Sequence, residues 1–532
     1  MSAASADPAA AGSPRTADVP LDLVVIGGGI NGAGIARDAA GQGLRVLLLE
    51  RRDLAGETSS ASSKLIHGGL RYLEQHEFRL VHESLTEREV LWAAAPHLIR
   101  PLRFVLPVRP GLRSTWLLRA GLLIYDHLGG RRRLPPTRVL HRGRDRQLDA
   151  LHQRYGRAFE YSDCWADDAR LVVLNALAAH EQGASIAIGW NFLRAQRAAG
   201  LWRVEIESDS GVRRTLNARA LVNAAGPWVE QVLARVGVPS RRALRLVKGS
   251  HIVVPRLYPG NHAYTLQSVD GRVIFTIPFQ QRFTLIGTTD VPCRSDSLPA
   301  TVSPEEVAYL CRAVAEYFRA PVRPAEVVWQ YAGVRPLYDN GHASASTVTR
   351  DYVFDLDAPP GSAPLLSVFG GKLTTYRRLA EHALSELLPR LEIQPRRWTR
   401  GVILPGGDLP ARDAERFCAD RAARYAFAPA AMIQRMCAAY GTRIERILQG
   451  AHRLADLGEE IAPQLHEAEL EYLRSVEWAR TAEDVLWRRS KLGLTLDRAA
   501  MERVAAWFAV HRSARAGGVT GPAPAGAQCA GR

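Results

Sequence analysis

Apolar residues follow three patterns along this chain. Unbroken apolar runs, Leu21 to Ile26, Leu44 to Leu49 and Leu365 to Phe369, read as buried strands, because a strand covered on both faces has no polar side to alternate with. Alternation dominates from Trp202 to Ile206 and from Arg272 to Gly287, which predicts further strands. Helical spacing runs from Glu74 to Ala95 and returns after Pro405-Gly406-Gly407, continuing with many charges to His511. Between the first two apolar runs lie glycines, a helix-compatible stretch from Asn31 to Gln42, and Gly43 as its C-cap. Strand, helix and strand within about thirty residues make a βαβ unit, which implies a parallel sheet.

A length of 532 residues favours two or three domains, and 47% hydrophobic with 23% charged residues is an ordinary globular balance. Wholesale disorder, collagen-like repeats and disulfide-stapled scaffolds are excluded. The first residues, 1–19, and the last, 514–532, are polar and small and read as disordered tails. Residues 20–400 and 401–513 are the expected domains, the second one helical. The formal charge of +15 is almost wholly arginine, since Lys64, Lys248, Lys372 and Lys491 are the only lysines. Such a chain seeks phosphate or anionic lipid through permanent, planar charges. Six cysteines lie scattered with no C-x-x-C pair, so a metal site is not expected and a reduced compartment is. The longest apolar stretch, Trp116 to Tyr125, is interrupted by Arg119 and too short to span a bilayer.

The sharpest chemical signal is Gly27-Gly28-Gly29-Ile30-Asn31-Gly32, which follows a strand and opens a helix. Gly27 suits a tight turn, Gly29 lets backbone approach a pyrophosphate, and Gly32 lets helix and strand pack closely. The helix N-terminus offers N–H donors to a diphosphate, and Glu50 at the next strand end can accept ribose hydroxyls. Two later segments favour a flavin over a nicotinamide dinucleotide. Thr58 to Leu65 places hydroxyls and backbone donors where a longer cofactor would extend. Ser367 to Thr375 repeats the strand, glycine turn and helix arrangement, a second N-terminus able to face negative charge on a reduced ring. Asn223-Ala224-Ala225-Gly226-Pro227-Trp228 ends another strand with small residues, as close approach to a cofactor needs. One nucleotide fingerprint, not two, disfavours a reductase that holds NAD beside FAD.

The string Thr58 to Leu73, with Phe159 to Trp165, Lys248-Gly249-Ser250-His251, Ile286 to Asp290, Gly333 to Leu337, Thr349 to Tyr352 and Phe369 to Tyr376, resembles the aerobic FAD-dependent glycerol-3-phosphate dehydrogenases of bacteria. The likeness spans roughly residues 20–510. Ala225 departs from it, standing where the family more often has threonine. The resemblance implies an α/β fold: an FAD-binding Rossmann-type domain of the glutathione-reductase and D-amino-acid-oxidase kind, an interleaved β-rich substrate domain, and the helical C-terminal domain. It implies oxidation of sn-glycerol 3-phosphate to dihydroxyacetone phosphate, with electrons passed to membrane quinone. An oxidase that reduces oxygen to peroxide shares nearly every cofactor motif and is the alternative.

Carried onto this sequence, the cofactor set is Gly27, Gly29, Asn31, Gly32, Glu50, Thr58, Ser59, Ser63, Lys64, Leu65, Gly226, Gly371, Lys372, Leu373 and Thr374. A phosphate dianion calls for arginine forks or lysine, and Arg71, Arg335, Arg350 and Lys372 stand in the family strings beside Tyr72. The substrate hydroxyl must lose a proton, which makes His67 and His251 candidate bases, with Arg335 able instead to acidify that hydroxyl. Arg100 to Arg146 carries twelve arginines among aromatic and leucine residues. With the resemblance it predicts a seat on anionic lipid at the cytoplasmic face of the inner membrane, peripheral or monotopic, with Trp116, Leu117, Leu118, Leu122, Leu123 and Ile124 entering the interface. A nucleic-acid partner is not expected, for no recognition module is present; a homodimer is compatible with the reading.

Overall fold

The computed structural model describes residues 19–73, 76–109, 115–130, 133–268, 270–339 and 351–511, without the Arg71 side chain. The expected tails and Arg350 lie outside the described residues.

Two large sheets carry the first part of the chain. In the first, strands run in the order Val353–Asp357, Leu365–Phe369, Arg213–Asn223, Leu21–Ile26, Val46–Glu50 and Ser185–Ile188. All neighbours from Leu365–Phe369 onward are parallel, and the Val353–Asp357 edge is antiparallel. The unbroken apolar runs are explained by cover on both faces. Leu23 and Val25 point to helices Ile30–Gly41, Asp168–Glu181 and Tyr376–Leu387, while Val24 and Ile26 join Trp202, Val204 and Ile206 of an antiparallel meander. Full burial of each such Val, Leu or Ile stabilises the fold by about 1.5–3 kcal/mol. Because the central strands are parallel, their carboxyl ends lie along one edge. Gly27, Glu50, Ala224 and Gly370 each follow or close one of these strands there, the place where open α/β sheets take ligands.

The second sheet has ten strands, drawn from segments that lie between strands of the first in sequence. Strand Leu244–Pro255 pairs with Trp329–Tyr338 and Phe283–Gly287, bringing His251 opposite Gly287 and Tyr331. One face covers helix Pro304–Ala315; the other packs on helices Phe78–Ala94 and Thr115–Leu128. The Phe78–Ala94 helix starts later than the spacing from Glu74 suggests.

From Leu409 to Phe508 the chain builds its own apolar cluster, mainly from helices Ala414–Arg424, Ala430–Tyr440, Glu467–Ser475 and Arg498–His511. It meets the domain built on the first sheet through buried charges. Arg170 grips Glu477 with both terminal nitrogens, Arg489 holds Asp53 in a two-pronged bond at 2.7 Å, and Lys491 donates to Asp167 at 3.1 Å.

The structure corrects the expected lipid footprint. Leu118 and Leu122 face inward and are buried, because the helix Thr115–Leu128 is amphipathic and presents them to the second sheet. Trp116, Leu117, Leu123 and Ile124 remain exposed, Trp116 by 77%. Four arginines of the Arg100 to Arg146 stretch are tied to partners within the protein. Arg103 and Arg138 pair with Glu160, Arg109 pairs with Glu316, and Arg142 donates to three backbone carbonyls. Those positive charges are spent on internal partners. Arg113, Arg131 and Arg132 lie outside the described residues.

Candidate active site

A cavity of about 370 Å³ opens at the strand carboxyl ends and runs between the two sheets. Its middle is the glycine turn. Gly27 has φ +111°, and a Cβ on Gly32 would stand 1.9 Å from the Gly27 carbonyl oxygen, so neither position admits a side chain. Gly29 is the helix N-cap and faces the cavity; it supplies no side-chain cap and the first helical turn carries no acidic residue, so the positive end of the helix is suited to an anion. Ile30 N–H donates to Ser59 Oγ at 3.0 Å, and Asn31 Nδ2 donates to the Gly370 carbonyl at 3.1 Å, joining the first turn to the later one. Asn31 Oδ1 is buried with no hydrogen-bond partner among the described residues, an acceptor facing a gap a bound group would fill.

At one end, Glu50 accepts N–H bonds from Gly28 and Arg52, each 2.8 Å, and burial pushes its carboxyl up from the ordinary range. Each oxygen keeps acceptor capacity for a ribose hydroxyl. Arg51 lies over the Trp228 ring at 4.4 Å, and Trp190 joins them in the cavity wall. Trp228 closes the segment that the sequence marks for close approach to a cofactor, whereas Arg51 and Trp190 carry no such signal. Trp190 arrives because Glu50 and Ile188 are paired in register and the Gly189 N–H bonds the Glu50 carbonyl.

The other end gathers His67, Tyr72, His251, Arg335 and Lys372. Lys372 Nζ stands 4.0 Å from the Tyr72 ring centre. Arg335 pairs with Asp290 and donates to Thr288 Oγ1 at 2.9 Å, so a phosphate there would share the guanidinium with Asp290. The His67 N–H donates to Thr374 Oγ1 at 3.2 Å, and its ring meets Phe275 edge-on. His251 is 2% exposed, stacks on Tyr331 at 4.9 Å and shares a 2.9 Å bond with Ser63 Oγ. Burial, then the Arg335 and Lys64 charges, hold its pKa well below the usual histidine value. It is a neutral imidazole, with Nδ1 unpartnered among the described residues and an imidazolium form that is costly to make.

The structure thus gathers Gly27, Gly29, Asn31, Glu50, Thr58, Ser59, Ser63, Leu65, Gly226, Gly371, Lys372, Leu373 and Thr374 around one cavity with the histidines, Tyr72 and Arg335. Gly32 and Lys64 are the exceptions. Gly32 packs against the Gly27 carbonyl and does not line the cavity. The fully buried Lys64 ammonium binds Asp168 at 2.7 Å and the Ser60 carbonyl at 2.9 Å, so its side chain braces the loop and does not reach the cavity. Thr58 likewise donates its hydroxyl to the Val334 carbonyl.

Fold and site together define an FAD-dependent oxidoreductase: residues 22–377 match the family described as FAD dependent oxidoreductase, and residues 397–513 match the C-terminal domain of alpha-glycerophosphate oxidase. The chain is 51% identical over 91% of its length to a glycerol-3-phosphate dehydrogenase of Pseudomonas aeruginosa, covering 94% of that protein. It is 49% identical to a D-erythritol 1-phosphate dehydrogenase of Brucella abortus, over 92% of this chain and 97% of that one. The solved glycerol-3-phosphate dehydrogenase of Bacillus halodurans complexed with FAD superposes with a TM-score of 0.74 at 26% identity, covering 94% of this chain and 92% of that one. The chain belongs to the FAD-dependent glycerol-3-phosphate dehydrogenase family, and FAD is its cofactor.

Proposed function

We propose that the protein oxidises the secondary alcohol of sn-glycerol 3-phosphate to the ketone of dihydroxyacetone phosphate and passes the electrons to membrane quinone. The observation that carries this reading is the meeting of Lys372, Arg335, Tyr72 and two histidines at the end of the cavity away from Glu50. When bound, FAD supplies the ring that accepts hydride. The protein's own groups bind the phosphate and take the hydroxyl proton. Lys372 and Arg335, with Arg71 and Arg350, grip the phosphate, so remote binding orients the carbon that reacts. His67 is the favoured base. His251 is held neutral, but its depressed pKa makes it a weak proton acceptor near neutral pH, and it orients Ser63 and the strand beside Arg335.

Among the described residues no helix is long and apolar enough to cross a membrane. The exposed Trp116, Leu117, Leu123 and Ile124 support a monotopic or peripheral seat on anionic lipid, where a quinone is within reach. Residues 20–400 act as the FAD and substrate unit and 401–513 as a separate helical domain.

The Brucella abortus relative gives a second reading, a longer phosphorylated polyol as substrate. An anaerobic spectrum separates them: sn-glycerol 3-phosphate should bleach the flavin absorbance at a higher kcat/KM than D-erythritol 1-phosphate. The reverse order would overturn the substrate assignment. Reoxidation by a soluble quinone analogue should outpace reoxidation by oxygen; stoichiometric peroxide with no gain from quinone would make the protein an oxidase.

A further inference from the structure

The short run Trp487 to Lys491 belongs to the C-terminal domain, yet its side chains reach three separate walls of the flavin cavity. The first wall is the turn after Glu50. Arg488 Nε donates to Asp53 at 2.5 Å and Arg489 closes on both Asp53 oxygens at 2.7 Å. That turn is tied to the glycine motif by the bond from Ala55 N–H to the Gly28 carbonyl. Burial alone would raise the Asp53 carboxyl, but Arg489 and Arg488 outweigh it and hold the carboxyl below its usual range.

The second wall is the loop Thr58 to Leu65. Lys491 donates to Asp167, and the adjacent Asp168 accepts from the Ser62 N–H at 3.1 Å, the Ser62 hydroxyl at 2.7 Å and Lys64. The third is reached through a chain of ring contacts, two stacked and the middle one tilted. Trp487 lies on Trp329 at 4.7 Å, Trp329 on Tyr331 at 4.8 Å, and Tyr331 on His251 at 4.9 Å, which ends in the cavity. A local device of five residues therefore touches the loops at both ends of the cavity and the strand that carries Arg335.

We propose that residues 487–491 are the positioning element of the flavin site: the C-terminal domain sets FAD affinity through Arg489 and Arg488 on Asp53, and sets the flavin environment through Trp487. None of these side chains lines the cavity, so each acts through another residue. Loop segments pinned at both ends lose less freedom when the cofactor binds, and that difference appears as affinity.

The test uses the full-length holoenzyme and reads FAD release by flavin fluorescence alongside visible circular dichroism and thermal unfolding. Arg489→Met should raise the FAD Kd on the order of tenfold, and Asp53→Asn combined with Arg489→Met should recover part of it. Trp487→Ala should change the flavin circular dichroism, with Trp487→Phe restoring it. The control is Arg435→Met, which removes a buried partner of Glu469 inside the same domain, away from the cavity. It should lower the unfolding midpoint and leave FAD affinity unaltered. An unchanged FAD Kd in Arg489→Met, or an equal rise in Arg435→Met, overturns the proposal. Should Arg489→Met fail to fold, Arg488→Gln decides: it is more exposed, should weaken FAD binding about threefold, and refutes the proposal if it does not.

Discussion

Two regions of this protein invert the usual arrangement of polar and apolar surface. The seam between the C-terminal domain and the flavin-binding domain is buried and ionic: Arg170 with Glu477, Arg489 with Asp53, Lys491 with Asp167. The helix Thr115–Leu128 lies at the surface and exposes apolar side chains there, Trp116, Leu117, Leu123 and Ile124. The difference shows what each surface is built for. A buried charge is tolerated only when matched, so an ionic seam accepts one partner in one geometry. A greasy face has no such requirement and accepts any apolar surface, the property suited to a bilayer.

Breaking the seam should produce the largest effect. Arg170→Met leaves the buried Glu477 with only the more distant Arg489 Nε at 3.8 Å and removes bonds to the Ala439 carbonyl, so chemical denaturation should show a loss of about 3–5 kcal/mol. Replacing Glu477 with leucine in that background should return part of the loss; if it does not, matched charge is not what the seam depends on. The surface helix should behave in the opposite way. Trp116→Ser, Leu123→Ser and Ile124→Ser together should leave folding stability nearly unchanged, while affinity for anionic vesicles falls by roughly 1 kcal/mol per side chain. A large drop in the unfolding midpoint would mean that this face packs against protein.

Near neutral pH the smallest effect is that of a buried histidine, which shows itself only in acid. His97 lies near Arg170 and is 8% exposed, with neither ring nitrogen partnered among the described residues; burial and the Arg170 charge lower its pKa to about 3. Unfolded, it takes up a proton below its ordinary value near 6.5. The depressed folded pKa therefore contributes stability that is fully present above pH 6.5 and is lost as pH falls towards 3. His97→Leu should reduce the slope of stability against pH in that window by about 1.4 kcal/mol per pH unit. An unchanged slope would show that the proton is accommodated in the fold.

What the sequence reveals depends on the distance over which a contact acts. The glycine turn, Glu50 and the parallel sheet are legible because their tasks are completed within one βαβ unit; Gly32 must be small for a neighbour five positions away. The substrate end is legible through long strings that resemble a family, not through periodicity. Lys64 shows the limit. It sits in a cofactor-like string, yet Asp168, on a helix a hundred positions later, takes its charge. Arg489 has no local signal, for its partner Asp53 lies 436 residues away. The lipid footprint fails in part for the same reason: helical spacing separates Leu118 from Leu117, but only the packed sheet decides which of them is inside.

The placement of the lysines has a practical consequence for reagents. Lys64 and Lys491 are sealed in the interior, Lys248 is tied to Glu306 with 15% of its side chain exposed, and Lys372 lines the cavity. Amine-directed labels and crosslinkers therefore find almost no lysine on the outer surface of a strongly cationic protein. Acylation at Lys372 becomes a reporter of cavity occupancy, and surface coupling has to be directed at guanidinium or carboxylate groups.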